Sequence, residues 1–160
     1  MNSQLSSRAR IVQEYLSQRG FPFEVQELST STRTAQEAAD SIGCRVGQIA
    51  KSLIFKDANT DKAVLIIASG ANRVNLAKVE HTAGLKLEKA DGKFVKEKVG
   101  FPIGGVPPVA HKEPLQTFLD QELQQYDVIW AAAGTPFAVF KLTPGDLEEL
   151  TGGCWINLAE

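Results

Sequence analysis

The chain has 160 residues, of which 43% are hydrophobic, and this is enough for one compact domain to bury a core without disulfide or metal support. The formal net charge of −2 argues against a protein that coats nucleic-acid duplexes, because such binding depends on many Lys and Arg side chains meeting phosphates. This charge is still compatible with a local basic patch that holds the end of a nucleic acid.

The two cysteines, Cys44 and Cys154, lie far apart and have neither CxxC nor Cys/His spacing, so the sequence predicts neither a zinc site nor a disulfide. Residues 1–10 lack an apolar signal core, and no apolar run reaches the ~18 residues of a membrane span. We therefore expect a cytoplasmic protein with reduced, buried thiols and no membrane partner.

Apolar periodicity and capping residues predict the secondary structure. Helical spacing of apolar residues before Gly20 indicates a first helix, and Thr34 and Glu37 have the spacing of a capping box. The predicted elements in chain order are a helix at 4–19, a strand at 21–28, a helix from 34 to 43, strands at 49–56 and 63–69, a helix at 75–83, a strand at 85–90, a helix at 91–100, strands at 126–133 and 137–142, a helix at 144–150 and a strand at 154–158. This mixed order predicts an α+β fold with a mixed, largely antiparallel sheet.

The loop from Gly100 to His111 is the most informative stretch of the chain. Its three glycines allow positive φ or a close approach of the backbone, and its three prolines fix φ and remove N–H donors. Such a loop indicates that the amides of Gly104, Gly105 and Val106 are directed at a carbonyl or an oxyanion. A plain turn between two elements is the alternative interpretation.

Lys51 stands near the start of a strongly apolar predicted strand, where an ammonium is costly unless it faces a cleft or a partner. Together with the glycine and proline loop, it is a candidate for binding phosphate. The alternative is a lysine that extends its charge to solvent along the strand. Ser52 follows it in the strand, so its side chain is expected on the opposite face.

The usual sources of a hydrolytic nucleophile are scarce in this sequence. Its two histidines are His81, in a charged predicted helix, and His111, just past the loop. Neither has a GxSxG serine or a reactive-cysteine context, and no metal-ligand spacing is present, so a triad or a metal site is not indicated. The small residues at 131–134 either pack against a helix or form the wall of a pocket for a small group.

Three segments occur together in a recognisable order: Lys51 within residues 50–55, the loop at 100–108, and Ala-Gly-Thr-Pro at 133–136 followed by Leu-Thr-Pro-Gly-Asp-Leu at 142–147. Together they resemble the YbaK and prolyl-tRNA synthetase editing-domain family, the free-standing aminoacyl-tRNA deacylases. The resemblance covers nearly the whole chain. It implies one editing domain over residues 1–160, with a curled sheet flanked by helices, no metal and no cofactor.

The resemblance implies hydrolysis of the ester that joins a wrong amino acid to the 3′ end of a tRNA, most often tRNA for proline. The implied partner is the acceptor end of aminoacyl-tRNA, with a synthetase as a further candidate. By similarity, Lys51 would hold the phosphate of the terminal adenosine, and the catalytic amides of Gly104, Gly105 and Val106 would face the aminoacyl carbonyl while a ribose hydroxyl orients the water. The implied substrate-binding residues are Ser52, Ile103, Pro107, Pro108, His111, Ala132, Ala133, Gly134, Thr135 and Val139.

Two pocket positions guide the expected substrate. Some family members carry serine or histidine near Ala132 and an acidic residue near Val139, whereas both residues are apolar here. The resemblance therefore implies a small, weakly polar aminoacyl group, such as alanine, serine, threonine or an analogue. Six lysines from Lys78 to Lys98 either contact the tRNA end or form a solvated face.

Two other functions fit the same residues. A non-catalytic module would retain an aminoacyl-adenosine or an amino acid, or dock onto a synthetase, and the loop would then serve affinity rather than rate. A serine or cysteine hydrolase would use Ser52 or Cys44 together with His111.

Overall fold

Helices and strands alternate irregularly along residues 5–160, the part of the chain that this computed structural model describes. The helices are α1 (Ser7–Gln18), α2 (Ala35–Ile42), α3 (Leu76–Ala83), α4 (Gly92–Val99) and α5 (Pro144–Thr151). The strands are β1 (Gln26–Glu27), β2 (Ile49–Asp57), β3 (Ala63–Ser69), β4 (Leu87–Lys89), β5 (Gln116–Asp120), β6 (Ile129–Ala132), β7 (Ala138–Leu142) and β8 (Cys154–Ile156). Short 3-10 helices lie at Val46–Gln48 and Gln121–Gln125.

The strands form one mixed sheet in the order β1-β7-β6-β2-β3-β5-β8, with β4 also paired to β2. The pairs β1 with β7, β2 with β3, β2 with β4, and β6 with β7 are antiparallel. The pairs β2 with β6, β3 with β5, and β5 with β8 are parallel. The expected α+β fold with a mixed sheet flanked by helices is therefore confirmed.

Strand β2 has a gap in its pairing that creates space for a site. On one side it pairs continuously with β3, from Ala50 opposite Ser69 to Lys56 opposite Ala63. On the other side it pairs with β6 only at residues 49–50, and with β4 only at residues 55–57. Among the described residues, 5–160, no strand therefore neighbours residues 51–54 on that side, and the sheet opens there.

The core consists of layers on both faces of the sheet. Strand β3 is buried at all seven positions, as is typical of a strand covered by helices on both sides. Leu65 and Ile67 pack in the larger layer with α1, α4 and α5, whereas Val64 and Ile66 pack with α3. Each fully buried aliphatic side chain contributes about 1.5–3 kcal/mol to folding. A third cluster joins α2 to the start of β2 and to β6.

The helix ends match the capping residues read from the sequence. Thr34 accepts from the Glu37 amide, and Glu37 accepts in return from the Thr34 amide, so the capping box of α2 is formed. Thr143 begins α5 with a second capping box. Asn75 and Asp91 cap α3 and α4 through their side chains.

The predicted elements differ from the structure at two places, and one predicted element extends beyond the described residues. The strand predicted at 21–28 is paired only at Gln26–Glu27, and Gln13 of α1 instead bonds the Phe23 carbonyl and the Val25 amide. Strand β5 was not predicted, although it lies between β3 and β8. The first residue of the predicted helix at 4–19 lies outside the described residues.

None of the helices within residues 5–160 combines the length and hydropathy that crossing a membrane requires.

Candidate active site

A cavity of about 370 Å³ lies where the sheet opens beside β2. One side, which we call the loop wall, is formed by residues 103–106, and another, the helix wall, by residues 32–35 with Ala38 of α2. Strands β2, β6 and β7 complete the lining. The lining residues are Thr32, Arg33, Thr34, Ala35, Ala38, Ile49, Ala50, Lys51, Ser52, Leu53, Ile103, Gly104, Gly105, Val106, Trp130, Ala131, Ala132 and Val139.

The two glycines of the loop wall have different structural roles. Gly104 has a φ of +94°, in the left-handed region that disfavours other residues. Gly105 lies against the backbone of Thr135, where an added Cβ would stand 2.8 Å from three main-chain atoms. In addition, the Gly134 amide donates to the Gly105 carbonyl at 2.8 Å. Residues 134–135 therefore fix the loop from behind.

The amides of the loop wall differ in their availability. Gly105 N donates to the Pro102 carbonyl at 3.3 Å, so this amide closes a turn. Within residues 5–160, the amides of Gly104 and Val106 have no hydrogen-bond acceptor. Both residues line the cavity. Unpaired N–H groups beside a cavity are suited to bind a ligand oxygen.

His111 supports the loop from its far end. Its Nε2 lies 2.7 Å from the Pro107 carbonyl oxygen, and burial lowers the pKa of the imidazole, although the Pro107 carbonyl opposes this shift. The neutral ring with a proton on Nε2 donates this bond. The preceding residue, Ala110, has a φ of +67°, so the chain turns sharply at this support.

Lys51 lines the cavity, but its ammonium is already engaged. Its Nζ donates to the Asn72 carbonyl at 2.9 Å. Burial lowers the pKa of Lys51, Asp120 partly opposes this effect, and Arg73 adds to it. The Lys51 side chain is therefore held by a main-chain carbonyl, and its burial disfavours the charged form.

Ser52 presents a polar atom without a partner. Among residues 5–160, its Oγ is the buried side-chain oxygen or nitrogen that forms no hydrogen bond. Ser52 also lines a cavity of about 140 Å³ that shares Leu53, Ile103, Gly104 and Val106 with the first. An unpaired buried hydroxyl is costly, so a ligand group that bonds it would gain affinity.

The remaining surface of the cavity is mainly apolar. Ala131 and Val139 are buried, and Ala132 of β6 is paired with Val139 of β7. At the edge of the loop wall, Ile103 is 60% exposed, which is unusual for a large aliphatic side chain. The alanine and valine side chains line a small apolar space, and Ile103 adds an exposed hydrophobic side chain at its edge.

The structure brings together eight of the predicted site residues around this cavity. They are Lys51, Ser52, Ile103, Gly104, Gly105, Val106, Ala132 and Val139. The others lie outside its lining. Pro107, Pro108, Ala133 and Gly134 are buried, His111 bonds Pro107, and Thr135 lies beneath Gly105. Gly134, Thr135 and His111 contact the loop from outside the cavity, and the predicted part of all six residues in substrate binding stays a prediction.

The helix wall was not predicted from the sequence. Thr32 anchors it, because both its amide and its hydroxyl donate to the Pro136 carbonyl. Arg33 is exposed at the cavity edge, and its Cγ lies 3.9 Å from the position of a Cβ on Gly104. The capping box at Thr34 and Glu37 was the sequence signal at this wall, but it predicts a helix start and not a cavity.

The charges of the lining have one sign. Arg33 and Lys51 are cationic, and no Asp or Glu within residues 5–160 lines the cavity. The chain as a whole has a net charge of −2. The cavity is therefore an electropositive place on an acidic protein, which favours an anionic ligand.

The residues considered for a nucleophilic hydrolase are not assembled. Ser52 Oγ has no hydrogen-bond partner in the described part of the chain, and His111 Nε2 bonds a backbone carbonyl. Burial raises the pKa of Cys44, which reduces its thiolate fraction, and Cys44 packs with α2. No serine or cysteine dyad is therefore formed with His111.

The lysine-rich stretch lies on α3, β4 and α4, outside the cavity lining. Lys78 Nζ donates to the Ala159 carbonyl at 2.7 Å. Glu88, an acidic residue of the same stretch, forms an ion pair with Lys56, with 3.7 Å between Glu88 Oε1 and Lys56 Nζ. The stretch is a mixed-charge surface whose contact with tRNA remains a prediction from the sequence.

Comparisons with known proteins agree with this arrangement. Residues 29–150 match the family described as "Aminoacyl-tRNA editing domain". The chain is 32% identical to the uncharacterized protein YwhH of Bacillus subtilis (strain 168) over 138 residues, 86% of this chain and 87% of the relative. It is 31% identical to the "Putative Cys-tRNA(Pro)/Cys-tRNA(Cys) deacylase EbsC" of Enterococcus faecalis (strain ATCC 700802 / V583) over 127 residues, 74% of this chain and 77% of the relative.

A solved structure extends the similarity to nearly the full length. It is a crystal structure described as "a putative trans-editing enzyme for prolyl tRNA synthetase", with a TM-score of 0.92 and 47% identity, covering 98% of this chain and 99% of the other. The matched family spans the helix wall, Lys51, the loop wall and the residues beneath it. The chain belongs to the aminoacyl-tRNA editing-domain family, as the sequence predicted, and its enzyme class is that of the aminoacyl-tRNA hydrolases.

Proposed function

We propose that the protein is a trans-editing deacylase that removes a small amino acid, such as alanine, serine, threonine or an analogue, from tRNA for proline. The observation that carries this proposal is the pair of unpartnered amides at Gly104 and Val106, which border the same cavity as the unpartnered Ser52 hydroxyl. In this proposal residues 1–160 act as one editing domain, in the cytoplasm where its substrate is made, with a synthetase as a further partner.

The proposed reaction is hydrolysis of the aminoacyl ester by water. A ribose hydroxyl of the substrate orients the water, whose oxygen forms a bond to the carbonyl carbon. The ester C–O bond then breaks, one water proton passes to the leaving ribose oxygen, and the free amino acid is released. The amides of Gly104 and Val106 stabilise the oxyanion, and each such donor contributes about 3–4 kcal/mol in the transition state. Gly105, whose amide closes a turn, acts by fixing the position of both neighbours.

The proposed specificity rests on the size and polarity of the cavity. Ala132 and Val139 limit the space to a small side chain, and Ser52 supplies one hydroxyl for a polar group. A second, separate pocket is useful because a synthetase distinguishes amino acids that differ by one methylene by only about 1–3 kcal/mol. Lys51 adds positive charge beside the ester.

The test is a deacylation screen with tRNA for proline charged separately with alanine, serine, threonine and cysteine. We expect release of at least one small amino acid well above the rate in buffer, with loss of at least about a hundredfold in Lys51→Ala. Lys62→Ala, which changes the same charge in the exposed β2–β3 turn, is the matched control and should retain full activity.

Two results would contradict the proposal. The first is a wild-type rate equal to that in buffer for all four substrates. The second is tight retention of an aminoacyl-adenosine without hydrolysis, which would identify a binding module in place of a deacylase.

A further inference from the structure

We propose that Arg33 binds the phosphate of the tRNA's terminal nucleotide and holds the ester against the loop wall. This inference rests on the proposed function and names the residue that recognises the anionic part of the substrate. The sequence assigned that contact to Lys51, but the Lys51 ammonium already donates to the Asn72 carbonyl and burial disfavours its charge. A phosphate there would have to displace an existing hydrogen bond.

Arg33 has the opposite properties. It is exposed, and within residues 5–160 its guanidinium forms neither an ion pair nor a hydrogen bond; only its main-chain amide is engaged, with Ser31 Oγ at 3.1 Å. A guanidinium presents five N–H donors in a planar fork that matches the oxygens of a phosphate. The side chain is therefore available for an anion.

The acids near Arg33 in the chain are also accounted for. Glu37 accepts from the Thr34 amide and from Ser31 Oγ, which commits its carboxylate to the start of α2. Glu27 accepts from the Ser6 amide. Neither carboxylate pairs with Arg33 or lines the cavity. Neither of these two carboxylates therefore neutralises the positive charge of Arg33 at the cavity edge.

The side chain of Arg33 lies beside the loop wall that carries the amides proposed to face the ester. Its Cγ lies 3.9 Å from where a Cβ on Gly104 would stand, so the helix wall and the loop wall meet at this contact. In an aminoacylated 3′ end, the phosphate of the terminal nucleotide lies one ribose away from the ester. Arg33 at the cavity edge can therefore bind the phosphate while the amides of the loop wall bind the ester of the same nucleotide.

The experiment uses two pairs of small probes. The first pair is an aminoacyl-adenosine ester with and without a 5′-phosphate, and its hydrolysis is measured. The second pair is the amide-linked, non-hydrolysable analogue with and without that phosphate, and its binding is measured by calorimetry. We expect Arg33→Ala to raise KM and Kd about tenfold for the phosphorylated probes with kcat nearly unchanged, because a hydrogen bond to a charged group is lost. The probes without phosphate should be unaffected, and Arg33→Lys should restore part of the affinity.

Arg19→Ala is the matched control, because Arg19 is an exposed arginine at the end of α1 whose guanidinium lies over Tyr15. It should leave all four probes unchanged. Equal losses for Arg33→Ala with and without phosphate, or no loss at all, would overturn the role of Arg33. Phosphate-dependent binding through Arg33 without hydrolysis by the wild type would instead retain this inference and refute the proposed deacylase.

Discussion

The cavity combines two walls that are built in different ways. The loop wall has no regular secondary structure, and backbone contacts fix it, because Gly105 packs on Thr135 and Gly134 donates to its carbonyl. The helix wall is held mainly through side chains, by the Thr34 capping box and the Thr32 hydroxyl, with one main-chain bond from the Thr32 amide to the Pro136 carbonyl. A wall fixed by backbone contacts tolerates no added atoms, whereas a wall fixed by side chains loses stability gradually. The predictions below test this difference.

The largest effect is expected for Gly105→Ala. The new Cβ would meet main-chain atoms of Thr135 at 2.8 Å, which cannot move as a flexible side chain can. The loop must shift, so we expect a loss of about 1–3 kcal/mol in the free energy of unfolding and a loss of more than about a hundredfold in deacylation. Denaturant unfolding and the deacylation assay measure both. Gly145→Ala, which meets only Thr143 Oγ1 at 3.8 Å, should be neutral in both assays.

A smaller effect is expected for Ser52→Ala, which changes the surface between the walls. Because Ser52 Oγ has no partner among residues 5–160, its removal should leave the free energy of unfolding unchanged or slightly raised, while activity falls about tenfold. Ser69→Ala is the contrasting variant, since Ser69 Oγ donates to the Gly47 carbonyl at 2.8 Å. It should lose about 1–3 kcal/mol and keep its activity. An equal loss of stability in both variants would show that Ser52 has a structural partner.

Thr34→Ala tests the helix wall. Loss of the cap should cost about 1 kcal/mol, or about 2–4 °C in Tm, and lower activity a few fold because Thr34 lines the cavity. Thr143→Ala removes the same capping box from α5, away from the cavity, and should lose similar stability without loss of activity. Equal activity of the two variants would mean that the helix wall does not position substrate.

The smallest effect concerns pH and the support of the loop wall. Burial lowers the pKa of His111 below the value of about 6.5 in an unfolded chain, so the unfolded state takes up a proton before the folded state does. Stability from this source is complete above pH 6.5 and is lost as the pH falls from there towards the folded pKa. His111→Gln retains a donor for Pro107 but does not titrate, so its Tm should depend less on pH between 7.0 and 5.5. An unchanged dependence would place the acid sensitivity elsewhere.

The sequence predicts features that depend on neighbouring residues. Capping residues located α2 to α5, and the glycines and prolines identified the loop wall, because both signals act over a few positions. Strand β5 escaped prediction because its five residues pair with β3 and β8, which are distant in the chain. The residues at 21–28 have strand composition, but Gln13 satisfies part of their backbone in place of a strand.

The candidate site divides in the same way. The loop wall and Lys51 carry unusual residue types in their segments, so the sequence singled them out. Arg33, Thr32 and Trp130 are ordinary residues until the fold brings them to the cavity. The gap between β6 and β4 along β2 is a property of strand pairing, and no local pattern records it.

The absence of carboxylates from the lining, within residues 5–160, has a consequence for the amino group of the substrate. An aminoacyl ester carries an α-ammonium, and this lining offers that cation no counter-ion. Discrimination among amino acids must then come from their side chains, through the size of the cavity and the polar contact that Ser52 offers. An N-acetylated aminoacyl ester of the same side chain lacks this cation, and we expect the loss of that charge alone to cost no affinity.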